Sequence, residues 1–260
     1  MIKTGAKMHF TVTQDTDIGN TKATNQDSVL FKHGEYDGGE ILMAVICDGM
    51  GGLAKGELAS STVIKEFSKW FDEELPYELE NLDLNVVGGK WSLMLKDLNV
   101  KIIEYAQRNN LTMGTTFTGV LFVNDRYMAA HVGDTRLYEL CNGLTQLTKD
   151  HTFVAREIQK GTITPEQAKT DKRRNLLLQC IGASENLEPD VIVGNTKKGT
   201  YFLCSDGLRH EVSEKEFTEM FDPQKLTDKN AMHSNSKFLI DLAKQRNEKD
   251  NISVILIKAV

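Results

Sequence analysis

The sequence predicts an α+β fold in which antiparallel sheets and helices with one apolar face pack in layers. Apolar, β-branched runs at 41–47, 117–123, 127–132, 200–204 and 252–257, each bounded by Gly, Asp or Asn, read as strands. Only Asn124, Asp125 and Arg126 separate the second run from the third, a hairpin length that forces antiparallel pairing. The steady β-α-β alternation of a parallel sheet is missing, and antiparallel sheets covered on one side by helices pack face to face as a layered sandwich.

The helices follow from apolar spacing. Val63, Phe67, Trp70 and Phe71 share one face of a first helix, and Trp91, Leu95, Leu98 and Ile102 one face of a second. Ser213 followed by Glu216 forms a capping box that opens another, and Phe238, Leu239, Leu242 and Ala243 mark a last helix before the final strand. The chain has only four prolines, no Ser/Gly-rich linker and no internal repeat, so residues 1–260 are expected to form one domain. The segment 152–180 is polar, charged and without strand character, and is expected to lie over the surface as an insertion.

Composition narrows the function classes. A 40% hydrophobic content supports a sizeable core and excludes a disordered chain. The net charge of -6 argues against nucleic acid as a partner, because neutralising phosphates takes clustered Lys and Arg. No apolar run approaches the ~20 residues that cross a bilayer. The start, MIKTGAKMHF, lacks the apolar run of a signal peptide, so no membrane partner and a cytoplasmic location are expected. Cys47, Cys141, Cys180 and Cys204 form no CxxC pair and read as reduced core residues.

An aspartate recurs where apolar strands end: Asp48 after AVIC, Asp134 after AHVG, Asp206 after FLCS, and Asp250 just before ISVILI. Any one of them alone is most simply a turn former. Four together describe carboxylates converging on one edge of a sheet, which repel one another unless cations lie among them. An all-oxygen set suits Mg²⁺, Mn²⁺ or Ca²⁺, and no Cys or His grouping has zinc spacing. His131, in an apolar strand, reads as a packed core imidazole, and His151 as a structural residue of its turn.

The motifs GNTKATNQD (19–27), AVICDGMGG (44–52), GELAS (56–60), MGTTFTG (113–119), HVGDTRLY (131–138), LTKDHT (147–152), CSDGL (204–208) and DNIS (250–253) occur in one order. In that order the chain resembles the type 2C metal-dependent protein phosphatases, especially their small bacterial members. The resemblance implies an α-β-β-α sandwich of two antiparallel sheets flanked by helices, with the metal site at one end of the sheets. It implies that Asp48 bridges two Mn²⁺ or Mg²⁺ ions, that the Gly49 carbonyl binds one, that Asp206 and Asp250 hold the other, and that Asp27 orients metal-bound water. A third, looser ion is implied at Asp134 together with Asp206, and phosphate binding at Lys22. The implied reaction is hydrolysis of phosphoserine and phosphothreonine on proteins by a hydroxide bridging two ions, without a phosphoenzyme. The implied partners are the phosphorylated substrates of a serine/threonine kinase, and the segment 152–180 matches the family's flap.

Three positions depart from the family pattern. Lys22 stands in place of an Arg and keeps the charge without the bidentate fork. Gln26 stands in place of a Glu that supports a metal-bound water. Leu53 stands in place of a His assigned to leaving-group protonation. A metal-dependent small-molecule phosphatase is the alternative reading, and a pseudophosphatase binding module a weaker one, because Asp48, Gly49, Asp206 and Asp250 are all present.

Overall fold

A computed structural model of the protein describes residues 7–36, 39–50 and 55–260. Leu53, read above as a position lacking an acid, lies outside the described residues. Two five-stranded antiparallel sheets stack face to face. In the first, β1 (Phe10–Asp17), β10 (Ile252–Ala259), β9 (Gly199–Cys204), β6 (Arg136–Leu140) and β7 (Leu144–Gln146) run in that spatial order. In the second the order is β2 (Asp27–Tyr36), β3 (Gly39–Asp48), β4 (Phe117–Val123), β5 (Arg126–Val132) and β8 (Asp190–Asn195). The hairpin expected from Asn124 to Arg126 is the β4–β5 turn. It is one residue tighter than expected, since Arg126 already pairs with Val123 and Asn124 takes the left-handed conformation at φ 53°.

Helices α1 (Gly56–Glu73), α2 (Leu75–Glu78) and α3 (Leu84–Arg108) lie in the connection between β3 and β4. Their stripes pack on the outer face of the second sheet, where Phe67 sits 4.5 Å from Phe117 and 4.9 Å from Trp91, ring centre to ring centre. The segment 152–180 contributes the short helices α4 (Phe153–Gln159) and α5 (Pro165–Thr170). Beyond β9 come α6 (Asp206–Arg209), α7 (Glu214–Met220) and α8 (Lys229–Gln245), which cover the first sheet. The capping box predicted at Ser213 and Glu216 opens α7, with both reciprocal hydrogen bonds formed. Phe238, placed on the buried stripe of α8 by spacing, points outward at 54% exposure, and Met232, Leu239, Ile240 and Ala243 supply the stripe instead.

Apolar residues from both sheets, among them Leu42, Ile46, Phe122, Leu203 and Ile255, fill the space between them. The order is therefore helix, sheet, sheet, helix, as expected. Among the described residues no helix is long and apolar enough to cross a membrane.

Phe67→Ala removes a fully buried ring that joins α1 to α3 and β4. Urea unfolding should show a loss of about 3–5 kcal/mol. A loss below about 1 kcal/mol would contradict this packing.

Candidate metal centre

Strand register delivers four aspartates to one end of the sandwich. Asp27 opens β2 and Asp48 closes β3, and the two are directly opposed cross-strand partners. Like charges in that position are destabilising, so the pair needs compensation from outside the ladder. In the first sheet β9 and β10 are neighbours, which brings Asp206, just past the end of β9, beside Asp250, just before the start of β10. Lys22, Asp48, Thr116, Asp134, Asp206 and Asp250 line one cleft of about 530 Å³, with Asn175–Cys180 along its rim.

The backbone holds Asp48 firmly. Its N–H donates to Thr116 Oγ1 at 2.9 Å, and its carbonyl accepts from the Thr116 N–H at 2.9 Å and from Thr115 Oγ1 at 3.0 Å. Gly49 follows where any side chain would collide: a Cβ would stand 2.5 Å from the Gly56 carbonyl oxygen and 2.6 Å from that of Gln26. Glycine lets these three backbone segments close around the site.

Asp27 adjoins the cleft without lining it. Its Oδ2 accepts from Ser253 Oγ at 2.6 Å, while its buried Oδ1 has no hydrogen-bond partner. Burial and the Asp206 and Asp250 charges raise its carboxyl to about 7, against the pull of hydrogen bonds from Ser253 and Ser205. Burial, and then the charges of Asp27, Asp206, Asp134 and Asp250, raise Asp48 well above the carboxylate range. Asp206 is raised by burial and by Asp250 and Glu248, with Arg209 opposing, and its Oδ1 is also buried without a partner.

Two protein cations already answer part of this charge. Lys22 Nζ lies 2.6 Å from Asp250 Oδ1; burial disfavours its charge, but Asp250, Asp48 and Asp206 outweigh that and raise its pKa. Arg209 Nη2 donates to Asp134 Oδ2 at 2.7 Å. Among the described residues no three His, Cys, Asp or Glu side chains are drawn together as a closed metal cage. The carboxylates stand separately around an open cleft. Two orphaned buried oxygens and an all-oxygen donor set nevertheless fit a hard divalent cation, which would replace repulsion by coordination.

The neighbouring positions divide. The Gln26 amide donates to Glu57 Oε2 at 3.2 Å, and so ties the site to α1. His131 is fully buried, with Nδ1 2.9 Å from Thr118 Oγ1, and burial drives its pKa down to about 4. His151 bonds to the Gly133 backbone and faces Asp190 at 3.3 Å, a structural role as expected. All four cysteines are free, with Cys47, Cys180 and Cys204 buried; burial pushes the Cys204 thiol up to about 12.

Sequence reasoning missed Asn251, Arg209 and His210. Asn251 is buried and binds the β1–β2 loop at three points: its Oδ1 accepts from the Gln26 N–H at 2.9 Å, and its Nδ2 donates to the carbonyls of Ile18 at 2.9 Å and Thr24 at 3.2 Å. It sits inside the quoted DNIS motif, so the signal was present without a role attached. Arg209 and His210 directly follow CSDGL, and His210 Nε2 lies 3.9 Å from Asp206 Oδ2.

The geometry is that of an antiparallel sandwich with an acidic cleft at one end of its sheets, and comparison with known proteins gives the family. The model of the family described as protein phosphatase 2C matches residues 19–239. The chain belongs to the protein phosphatase 2C family. It is 34% identical over 248 residues to the serine/threonine protein phosphatase PstP of Mycobacterium tuberculosis, a match covering 94% of this chain and 44% of that protein. It thus spans less than half the length of that relative. It is 30% identical to the serine/threonine phosphatase stp of Listeria monocytogenes, covering 94% of this chain and 93% of the relative. The crystal structure of the PstP catalytic domain in complex with 2 manganese ions superposes with a TM-score of 0.78 at 32% identity, covering 98% of this chain and 100% of that one.

The raised carboxyl of Asp27 has a consequence for the protein in chelator. A folded-state pKa of about 7 against an ordinary 3.8 means that the stability from its bound proton is present below about 4 and lost as pH rises through about 7. Thermal melts across this window should decline with pH, and Asp27→Asn should flatten the decline and melt higher at pH 8. An unchanged slope would contradict the burial assigned to Asp27.

Proposed function

We propose that this chain is a metal-dependent protein serine/threonine phosphatase acting on phosphoserine and phosphothreonine. The observation that carries the reading is one cleft lined jointly by Asp48, Asp206, Asp250 and the cationic Lys22. The family, and the names and manganese content of the relatives, support it. We read 152–180 as a flap of the same domain, since its last residues form the cleft rim.

Asp48, Asp206, Asp250 and the Gly49 carbonyl would hold two Mn²⁺ or Mg²⁺ ions. Bound there, the ions supply Lewis-acid activation of water and neutralise charge on the phosphoryl group. Asp48, opposed to Asp27 in the second sheet and lining the cleft with Asp206 and Asp250 of the first, would be the central carboxylate of this set. Asp27, fixed by Ser253, orients water from beside the cleft. Lys22, whose ammonium reaches the cleft beside Asp250, would bind the phosphate there. No cysteine takes part, since burial keeps Cys47 and Cys204 as thiols.

The proposed partners are phosphorylated proteins made by a serine/threonine kinase in the cytoplasm. Free buried thiols fit that reducing compartment, and the charge of -6 disfavours nucleic acid.

Phosphothreonine and phosphoserine peptides should be hydrolysed with Mn²⁺ or Mg²⁺, and turnover should vanish in excess chelator. Undiminished turnover in chelator would sink the reading. Lys22→Ala should lower kcat/KM roughly 10- to 100-fold, the loss of one charge-assisted contact of about 1.5–3 kcal/mol, while Lys22→Arg should retain or improve it. Equal activity of all three proteins would count against phosphate binding at Lys22.

A further inference from the structure

We propose that Arg209 is a built-in cation that takes the place of a third divalent ion beside Asp134, so that this chain's centre is filled by two metal ions rather than three. The inference rests on the metal-centre reading above and adds to it which carboxylates are available for metal. Asp134, which follows β5, lines the cleft and was expected to hold a third ion with Asp206. Its side chain and that of Arg209 are both buried, at 9% and 10% exposure.

The geometry is that of an occupied site. Arg209 Nη2 donates to Asp134 Oδ2 at 2.7 Å and Nε donates to the Asp134 carbonyl at 3.2 Å, so one guanidinium engages both the carboxylate and the backbone acceptor of the residue. Arg209 is the last residue of α6 and Asp206 the first, so a single helical turn carries a metal-ligand candidate at one end and a fixed positive charge at the other. Arg136, the other cation nearby, already donates from Nε and Nη2 to Asp150, at 2.8 and 2.6 Å, and from Nη1 to the Tyr138 hydroxyl at 2.8 Å.

The Asp134 turn is also pinned. Gly133 donates to His151 Nδ1 at 3.3 Å, and its carbonyl accepts from the His151 N–H at 2.7 Å. A Cβ at Gly133, whose φ is 106°, would stand 2.6 Å from Thr116 Cγ2, so glycine lets the turn lie closely against Thr116. A divalent ion arriving at Asp134 would meet a buried, permanently charged group on the same oxygen. Arg209 therefore acts as a positioning residue: it aims Asp134 and balances the wall of the cleft without being lost to chelator or dilution.

The test is the number of Mn²⁺ ions bound per chain, read on the full chain by titration calorimetry and by counting free Mn²⁺ in electron paramagnetic resonance, up to millimolar metal. Wild type should bind two, and Asp134→Asn should also bind two. Arg209→Gln, which removes the charge at nearly constant size, should bind a third, weaker ion, and Arg209→Lys should not. Three ions in the wild type, or the loss of one in Asp134→Asn, would overturn the proposal, and so would Arg209→Gln remaining at two with a normal melt in chelator. Should Arg209→Gln fail to fold, wild type and Asp134→Asn decide the matter alone. A wild type that binds no Mn²⁺ would contradict the metal centre itself, a result distinct from three ions, which would overturn only the role of Arg209.

Discussion

The repulsion between carboxylates brought to one end of two sheets is the constraint to which the rest of the site answers. Asp27 and Asp48 face each other across β2 and β3, and Asp206 and Asp250 flank the adjoining ends of β9 and β10. Two like charges ~4 Å apart repel by about 4 kcal/mol at an effective dielectric constant of ~20, whereas a hydrogen bond to a charged group returns about 1.5–3 kcal/mol. The hydroxyl of Ser253 on Asp27 is therefore too weak to settle the cluster by itself. Cations or bound protons must supply the difference. Lys22, Arg209 and the raised carboxyls of Asp27, Asp48 and Asp206 are the forms this takes in the protein by itself.

The sandwich makes this crowding tolerable because its framework is fixed elsewhere. Aromatic packing of α1 and α3 on β4, and the apolar layer between the sheets, hold the strand ends without help from the acidic cleft. Asn251 then fastens the β1–β2 loop at Ile18, Thr24 and Gln26 to the start of β10, so that Asp27 and Asp250 belong to one connected unit although they are far apart in sequence. A buried side-chain amide with these partners satisfied is a rigid spacer, and its loss would loosen the aspartates relative to one another.

How much of this was legible in the sequence depended on whether a residue's chemistry was local. β3, β4, β5, β9 and β10 announce themselves as apolar runs because each is internal to a sheet and covered on both faces. β1, β2, β7 and β8 are the four sheet edges, and runs such as FTVTQDTD and DSVLFKHGEY carry the polar residues that edges need, so composition hid them. β6 is internal yet reads as RLYEL, because Arg136 pairs with Asp150 and Glu139 with Lys197 and Tyr201 inside the structure. Asp48, Asp134, Asp206 and Asp250 were visible because each adjoins a recognisable strand. Arg209 was not, since its meaning lies in a contact with a residue 75 positions away.

The most direct measurement is Mn²⁺ titration of Asp48→Asn alongside a phosphopeptide assay and a melt in chelator on the same preparation. Asparagine keeps the size of the side chain and much of its hydrogen bonding, but removes the charge that is proposed to hold the cations. The account predicts a folded protein, no less stable than wild type in chelator, that binds at least one ion fewer and turns over orders of magnitude more slowly. Normal metal stoichiometry with normal turnover would contradict it, for the centre would then stand without the carboxylate on which both sheets converge.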